Sequence, residues 1–287
     1  IVAVYILTSK ERFAAQTKKD FAGTICVSGT VHEECFEGVA PREVTKRVKP
    51  DFVIVGEATS TSIKIGQRGR AEVVVETEGV SCHSSNPEKG VNAVYGMMAV
   101  IEEIRKIVPN EHPLLGRGIL ELTDIVSAPY PGASVVPAAC RATFDRRTLV
   151  GEDEAVILGQ VEEAIARAQE KHPEIKARCY LATGTEACWT GDTISAKRYF
   201  PAWVVDENSE LVVKARRGLE AAGIDAPLLP FLFCTNGSHF CGEAGIPTIG
   251  YGPSLESLAH VRDEYIEISQ LTKACRGFAS ILAELTR

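Results

Sequence analysis

Two adjacent carboxylates, Glu33 and Glu34, follow the apolar run FAGTICVS within the segment GTVHEECFEG. Neighbouring side chains on an extended strand point to opposite faces. The pair serves one site only where the strand has ended and the backbone turns. There, one carboxylate can bind a metal while the other accepts a proton from the bound water. The plain alternative is a solvated corner, the usual place for adjacent glutamates. Glu57, in VIVGEAT, is another carboxylate at an apparent strand end, and alone it reads as a helix cap or a loop charge. Carboxylates from neighbouring strand ends suit a divalent metal, and zinc accepts them. His260, in ESLAHVRDE, joins this chemistry only if the fold brings it to Glu34 and Glu57; otherwise it is a surface histidine.

A different chemistry is written in CHSSNPEKGVNA, residues 82–93. Pro87 and Gly90 shape a turn, and Asn92-Ala93 enters a helix. Such a loop can hold His83 rigidly at a domain edge, or His83 merely caps a strand-to-helix connection. Cys82 and His83 do not read as a nucleophile and its base, because adjacent residues seldom reach that geometry. TFDRRT sets Asp145, Arg146 and Arg147 at a strand end. An arginine there can clasp a substrate carboxylate through two parallel bonds, or close an internal pair with Asp145. The Asn236-Gly237 turn in FCTNGSHF lines a pocket, which makes Asn236 a substrate-binding candidate, or is only a loop. His239 and Cys241 have no further ligands at metal-site spacing and read as structural.

The elements that must position these groups can be read from periodicity. A helix is expected over 2–19, with Val4, Ile6 and Leu7 on its apolar side. GTICVSGTV reads as a buried strand. PREVTKRV is a short helix opened by Pro41, which suits a first helical turn. DFVIVGEAT is a second buried strand. Continuous apolar strands alternating with helices predict a parallel α/β sheet. The pattern then changes. AEVVVETEG alternates, with Ala71, Val73 and Val75 on one face and Glu72, Val74 and Glu76 on the other, as in a strand with one wet face. Val94, Met97, Met98, Ile101 and Ile104 follow helical spacing. GILELTDIV and CRATFDRRT are strands, Leu158, Val161, Ile165 and Ala168 mark a helix, and EIKARCYLA is a strand. This β-α-β-β-α-β order is the ferredoxin-like arrangement. Beyond residue 183 the α/β character returns. SELVVKARRGLEAAG is a helix stopped by Gly223, IPTIGYG a short buried strand and QLTKACRGFASILAELT a closing helix.

Composition narrows the function classes. The 287 residues allow one large domain or two ordinary ones. With 45% apolar and 24% charged residues, the chain can bury a sizeable core. A net charge of −7 argues against nucleic acid as a partner. No stretch approaches a membrane span, so no membrane partner is expected. Nine cysteines, an odd number without a repeated CxxC spacing, fit a reduced cytoplasmic protein better than a disulfide scaffold. The chain opens on IVAVYILTSK without an initiator Met, so a preceding segment is expected to be absent, and no targeting signal is assigned.

Taken in order, GTVHEECFEG, VIVGEAT, HSSNPEKGVNA and the late LAH resemble the co-catalytic zinc family of acetylornithine deacetylase, succinyl-diaminopimelate desuccinylase and carboxypeptidase G. The resemblance covers essentially the whole chain and is nearest to the selenium-metabolism hydrolases. It implies a zinc-exopeptidase-like α/β catalytic domain, residues 1–66 and 183–287, interrupted at 67–182 by a ferredoxin-like α+β lid. It further implies that the lid mediates a homodimer. Two divalent metals are implied, zinc with cobalt or manganese as alternatives. Glu34 and His260 would hold one and Glu57 the other. Glu33 would be the general base, and His83 the lid histidine that crosses the dimer to stabilise the oxyanion in its partner's site. Arg147 would anchor a substrate carboxylate. The family's further histidine ligand and bridging aspartate fall upstream of Ile1. A polypeptide truly beginning there is expected to bind little or no zinc and to lack activity. Ser134 stands where the lid often has Asn, so no cross-dimer contact from that asparagine is expected. The implied function is metal-assisted hydrolysis of an amide bond in an N-acyl amino acid or small peptide. The alternative is a binding or regulatory protein that keeps the fold with an incomplete metal site, and a cysteine hydrolase is a distant third.

Overall fold

The computed structural model describes residues 21–287, so the helix expected over 2–19 lies outside the described residues. The described chain forms two compact units. The first comprises residues 21–68, 113–115 and 200–287; the second comprises 69–112 and 116–199.

In the first unit, helix α1 spans Pro41–Val48, with Pro41 in its first turn and Lys46 and Arg47 in its last. Proline there sacrifices no helical hydrogen bond, and the basic residues face the negative end of the helix dipole. Strands β1 (Val53–Val55) and β2 (Ile63–Gln67) follow. After the second unit come β9 (Trp203–Val204), α4 (Glu210–Ala221), β10 (Leu228–Phe231), β11 (Thr248–Gly250) and α5 (Ile268–Leu285). The sheet is mixed rather than purely parallel. β1 runs parallel to β11, with Ile54 opposite Ile249, and β10 runs parallel to β2. β11 and β9 run antiparallel to β2. Helices α4 and α5 cover a core that includes Ile63, Leu211, Leu219, Ile249, Tyr251, Phe278 and Ile281.

One expected strand is corrected. GTICVSGTV carries no ladder among the described residues, and Cys26, its expected centre, is exposed. An apolar run supplies β propensity, but a strand also needs a neighbour for its N–H and C=O groups. Ile25 and Val27 are half-buried in alternation with exposed residues, so one side only is covered.

The second unit has the expected order: β3 (Gly69–Glu78), α2 (Ala93–Ile104), β4 (Ile119–Ala128), β5 (Ala139–Thr148), α3 (Glu154–Lys171) and β6 (Lys176–Leu181). Its strands lie in the order β4-β5-β3-β6, every neighbouring pair antiparallel. Ala71, Val73, Val75, Ala142 and Phe144 face Met97, Val100, Ile104, Ile157 and Val161 in one closed core. Asn92 caps α2 by accepting from Val94 N at 2.9 Å, and Asp153 caps α3 through Val156 N at 2.9 Å. A hairpin of β7 (Thr183–Ala187) and β8 (Thr193–Lys197) stays with this unit, which carries it to Tyr199, past residue 182.

Candidate metal centre

The backbone does turn at the glutamate pair. His32 sits at φ 53°, and its carbonyl accepts from Cys35 N and Phe36 N at 3.2 and 2.9 Å. Phe36 is fully buried and anchors the turn. Gly38, at φ 96°, passes so close to His239 that a Cβ would lie 2.8 Å from its backbone nitrogen; only glycine combines that backbone with that approach. Asn236 spans the turn. Its Oδ1 accepts from Gly38 N at 2.9 Å, its Nδ2 donates to Thr30 Oγ1 at 3.0 Å, and its backbone N–H donates to the Glu33 carboxylate. Both ends of this substrate-binding candidate's carboxamide therefore hold the loop. Asn236 also lines a cavity of about 250 Å³ with Val55, Glu57 and Phe240. His239 braces the far side: its Nδ1 meets Glu243 Oε2 at 2.7 Å and its Nε2 meets Thr45 Oγ1 at 3.0 Å.

Charge is concentrated here. Burial, then Glu57, Glu34 and Glu37, push the Glu33 carboxyl up to about 8, against the pull of the Asn236 N–H. Burial and then Glu34 push Glu57 up to about 7, against a hydrogen bond from the Ala58 N–H. Glu33 Oε1 is buried without a hydrogen-bond partner among the described residues. Glu34 points outward, and its Oε2 lies 3.2 Å from His260 Nε2. At 72% and 71% exposure, these two side chains are open to solvent. Glu33, Glu34, Glu57 and His260 thus share one corner of the first unit.

Two features missed in the sequence hold that corner. Gly252 lets its chain run against Glu57, whose carbonyl oxygen would lie 2.2 Å from a Cβ at 252. Thr59 Oγ1 and Gly252 exchange hydrogen bonds at 2.9 and 3.0 Å. Lys64, buried in β2, donates to Pro230 O at 3.1 Å and pairs with Glu256 Oε1 at 2.5 Å. Glu256 lies four residues before His260, so the pair ties the histidine's loop to the sheet. A lone lysine in the otherwise apolar IKIG was the available signal.

The other candidates belong to the second unit. His83 is exposed, and its Nδ1 contacts Ser85 N at 3.1 Å and Ser85 Oγ at 2.8 Å. Arg147 Nε donates to Asp145 Oδ1 at 2.7 Å, the internal pair weighed from the sequence. Its neighbour Arg146 is buried and bonded to Glu152 at 2.9 Å.

The corner's donor set fits a divalent cation. It offers an imidazole nitrogen, carboxylates that raise one another's pKa, and an orphaned buried oxygen; histidine and carboxylate are both zinc ligands. Among the described residues, no group of three His, Cys, Asp or Glu side chains is spaced to hold a metal ion by itself.

Fold and corner together define a two-unit α/β protein with an acidic corner in its first unit and an inserted ferredoxin-like second unit. Residues 65–173 match the M20 peptidase dimerisation domain. YgeY, an uncharacterised protein of Escherichia coli K12, is 31% identical over 263 residues, which cover 90% of this chain and 64% of YgeY. Acetylornithine deacetylase of Buchnera aphidicola is 25% identical over 259 residues, 88% of this chain and 62% of that enzyme. The chain thus spans under two thirds of either relative's length. The crystal structure of aminopeptidase PepT from Bacillus cereus superposes with a TM-score of 0.74 over 99% of this chain and 70% of that one, at 18% identity, a likeness of fold. By these likenesses the chain is similar to the M20 metallopeptidases.

Proposed function

We propose that the full protein hydrolyses an amide bond in an N-acyl amino acid or short peptide. The observation that carries this reading is the convergence of Glu34 and His260 with Glu33 and Glu57 at one corner. Glu34 and His260 would hold one cation and Glu57 a second, probed first as zinc. When bound, such ions polarise a carbonyl and acidify water. Glu33 takes a proton from the attacking water, whose oxygen bonds to the carbonyl carbon. The C–N bond then breaks, and Glu33 returns the proton to the leaving nitrogen, giving a carboxylate and an amine. His83 donates a hydrogen bond to the oxyanion in the partner's site. Arg147 keeps its Nη groups for a substrate carboxylate while Asp145 holds its Nε. The domain division of the sequence, a catalytic unit interrupted by a lid, is part of the same reading.

We also infer a homodimer through the inserted unit. β4 is an edge strand whose Ile119, Ile125 and Val126 are exposed. An open apolar edge is a template for pairing with another chain.

The test is metal content by mass spectrometry together with turnover of N-acetylated amino acids and di- and tripeptides by the full-length protein. Bound metal with chelator-sensitive turnover is expected. Metal-free protein without turnover on any of them overturns the reading.

A further inference from the structure

We propose that Ser85, oriented by Asn86, is a positioning residue that fixes His83 in the tautomer with its proton on Nε2. The inference rests on the reading of His83 as an oxyanion donor. A backbone amide can only donate, so Ser85 N–H at 3.1 Å requires a lone pair on His83 Nδ1. Ser85 Oγ lies 2.8 Å from the same nitrogen. Asn86 Nδ2 donates to that hydroxyl oxygen at 3.0 Å, which turns the hydroxyl's own proton toward Nδ1. Two donors thus converge on Nδ1, and the neutral ring carries its proton on Nε2. That nitrogen makes no hydrogen bond among the described residues, and the His83 side is exposed. An N–H is what a developing oxyanion needs; the other tautomer would offer it a lone pair.

The backbone under the ring is held at several points. His83 bridges Val135, Ser84 N donates to Ser134 O at 3.0 Å, and Val136 N donates to Cys82 O at 2.9 Å. Asn86 N closes the turn on His83 O at 2.9 Å. Ser84-Ser85-Asn86 therefore acts as a preset local device, independent of bound substrate.

The test uses full-length protein labelled with ¹⁵N-histidine and long-range ¹H–¹⁵N correlation at a pH where the ring is neutral. The His83 signals are assigned by their loss in His83→Gln. The expected wild-type pattern is Nε2–H alone. Ser85→Ala removes one donor and should raise the Nδ1–H fraction about fivefold, the worth of one hydrogen bond. It should also lower kcat for N-acetylated amino acids with KM little changed, and Ser85→Thr should restore both. A wild-type ring that averages between tautomers, or a Ser85→Ala ring identical to wild type, overturns the inference. If the tautomer is as expected while His83→Gln retains full turnover, the oxyanion reading falls and the tautomer assignment stands.

Discussion

Glu33 and Glu57 sit in one electrostatic field, and replacing a charge there separates base from ligand. Glu33→Gln preserves shape and removes the proton acceptor. Turnover by the full-length protein should fall by about 10²–10⁴-fold, the usual worth of a general base, with metal content unchanged. Metal lost along with turnover would make Glu33 a ligand instead. The same field sets a pH dependence for chelated protein. Glu33 is pushed up to about 8 and Glu57 to about 7, from 4.5. Between pH 4.5 and those values the folded state binds more protons than the unfolded one, so stability falls as pH rises. Urea midpoints of chelated protein should be higher at pH 5 than at pH 8. Zinc favours the charged carboxylates, so its binding near pH 6 should release protons, measurable by calorimetry in buffers of different ionisation enthalpy. Equal midpoints and no proton release would mean that burial of these carboxyls is relieved in solution.

At the scale of elements, the loop bearing His260 depends on β2. Lys64 and Glu256 are 6% and 17% exposed, so removing one charge leaves the other largely desolvated. Lys64→Met should cost about 3–5 kcal/mol in urea unfolding, the range for breaking a buried pair, and should weaken metal binding by loosening the loop. Lys64→Met with Glu256→Leu should recover part of the stability but less of the affinity. An affinity unchanged in both variants would detach the loop from the metal corner. The lone lysine of IKIGQ, a strand buried along its whole length, hinted that Lys64 had a special role, but nothing in the sequence named Glu256 as its partner. The TGTEA and TISAK arms of the β7–β8 hairpin were equally silent, being polar and largely exposed. The β-α-β-β-α-β order was legible because its helices and its strands β3 and β5 bury periodic positions, while β4 showed through the partly buried Leu120 and Leu122. GTICVSGTV misled for the complementary reason: apolarity reports burial, and pairing depends on a neighbour the local sequence does not name. Glu33, Glu34, Glu57 and His260 were separate hints in the sequence; only the turn at His32 and the loop before His260 bring them to one corner.

For the whole molecule, the inserted unit's open side is where the proposed homodimer can be tested. Along β4, consecutive residues 123–126 are exposed on both faces of the strand, and Ile125 and Val126 are 46% and 42% exposed. Adjacent residues point to opposite faces, so at this end neither face of the edge is covered by the described residues. On α2, Tyr95 and Met98 are also exposed, at 70% and 54%, although Met98 falls in the helix's apolar series. Pairing β4 with its copy would satisfy the edge's backbone groups and remove these side chains from water. Lysines at the edge oppose such pairing by placing like charges together, while costing a single chain little at exposed positions. Ile125→Lys with Val126→Lys should therefore shift the full-length protein from dimer to monomer in sedimentation velocity at micromolar concentration, with far-UV circular dichroism unchanged. If His83 serves its partner's site, turnover should fall with the dimer and recover as concentration rises. A double variant that remains dimeric removes β4 from the interface; one that is monomeric and fully active removes His83 from a partner's chemistry.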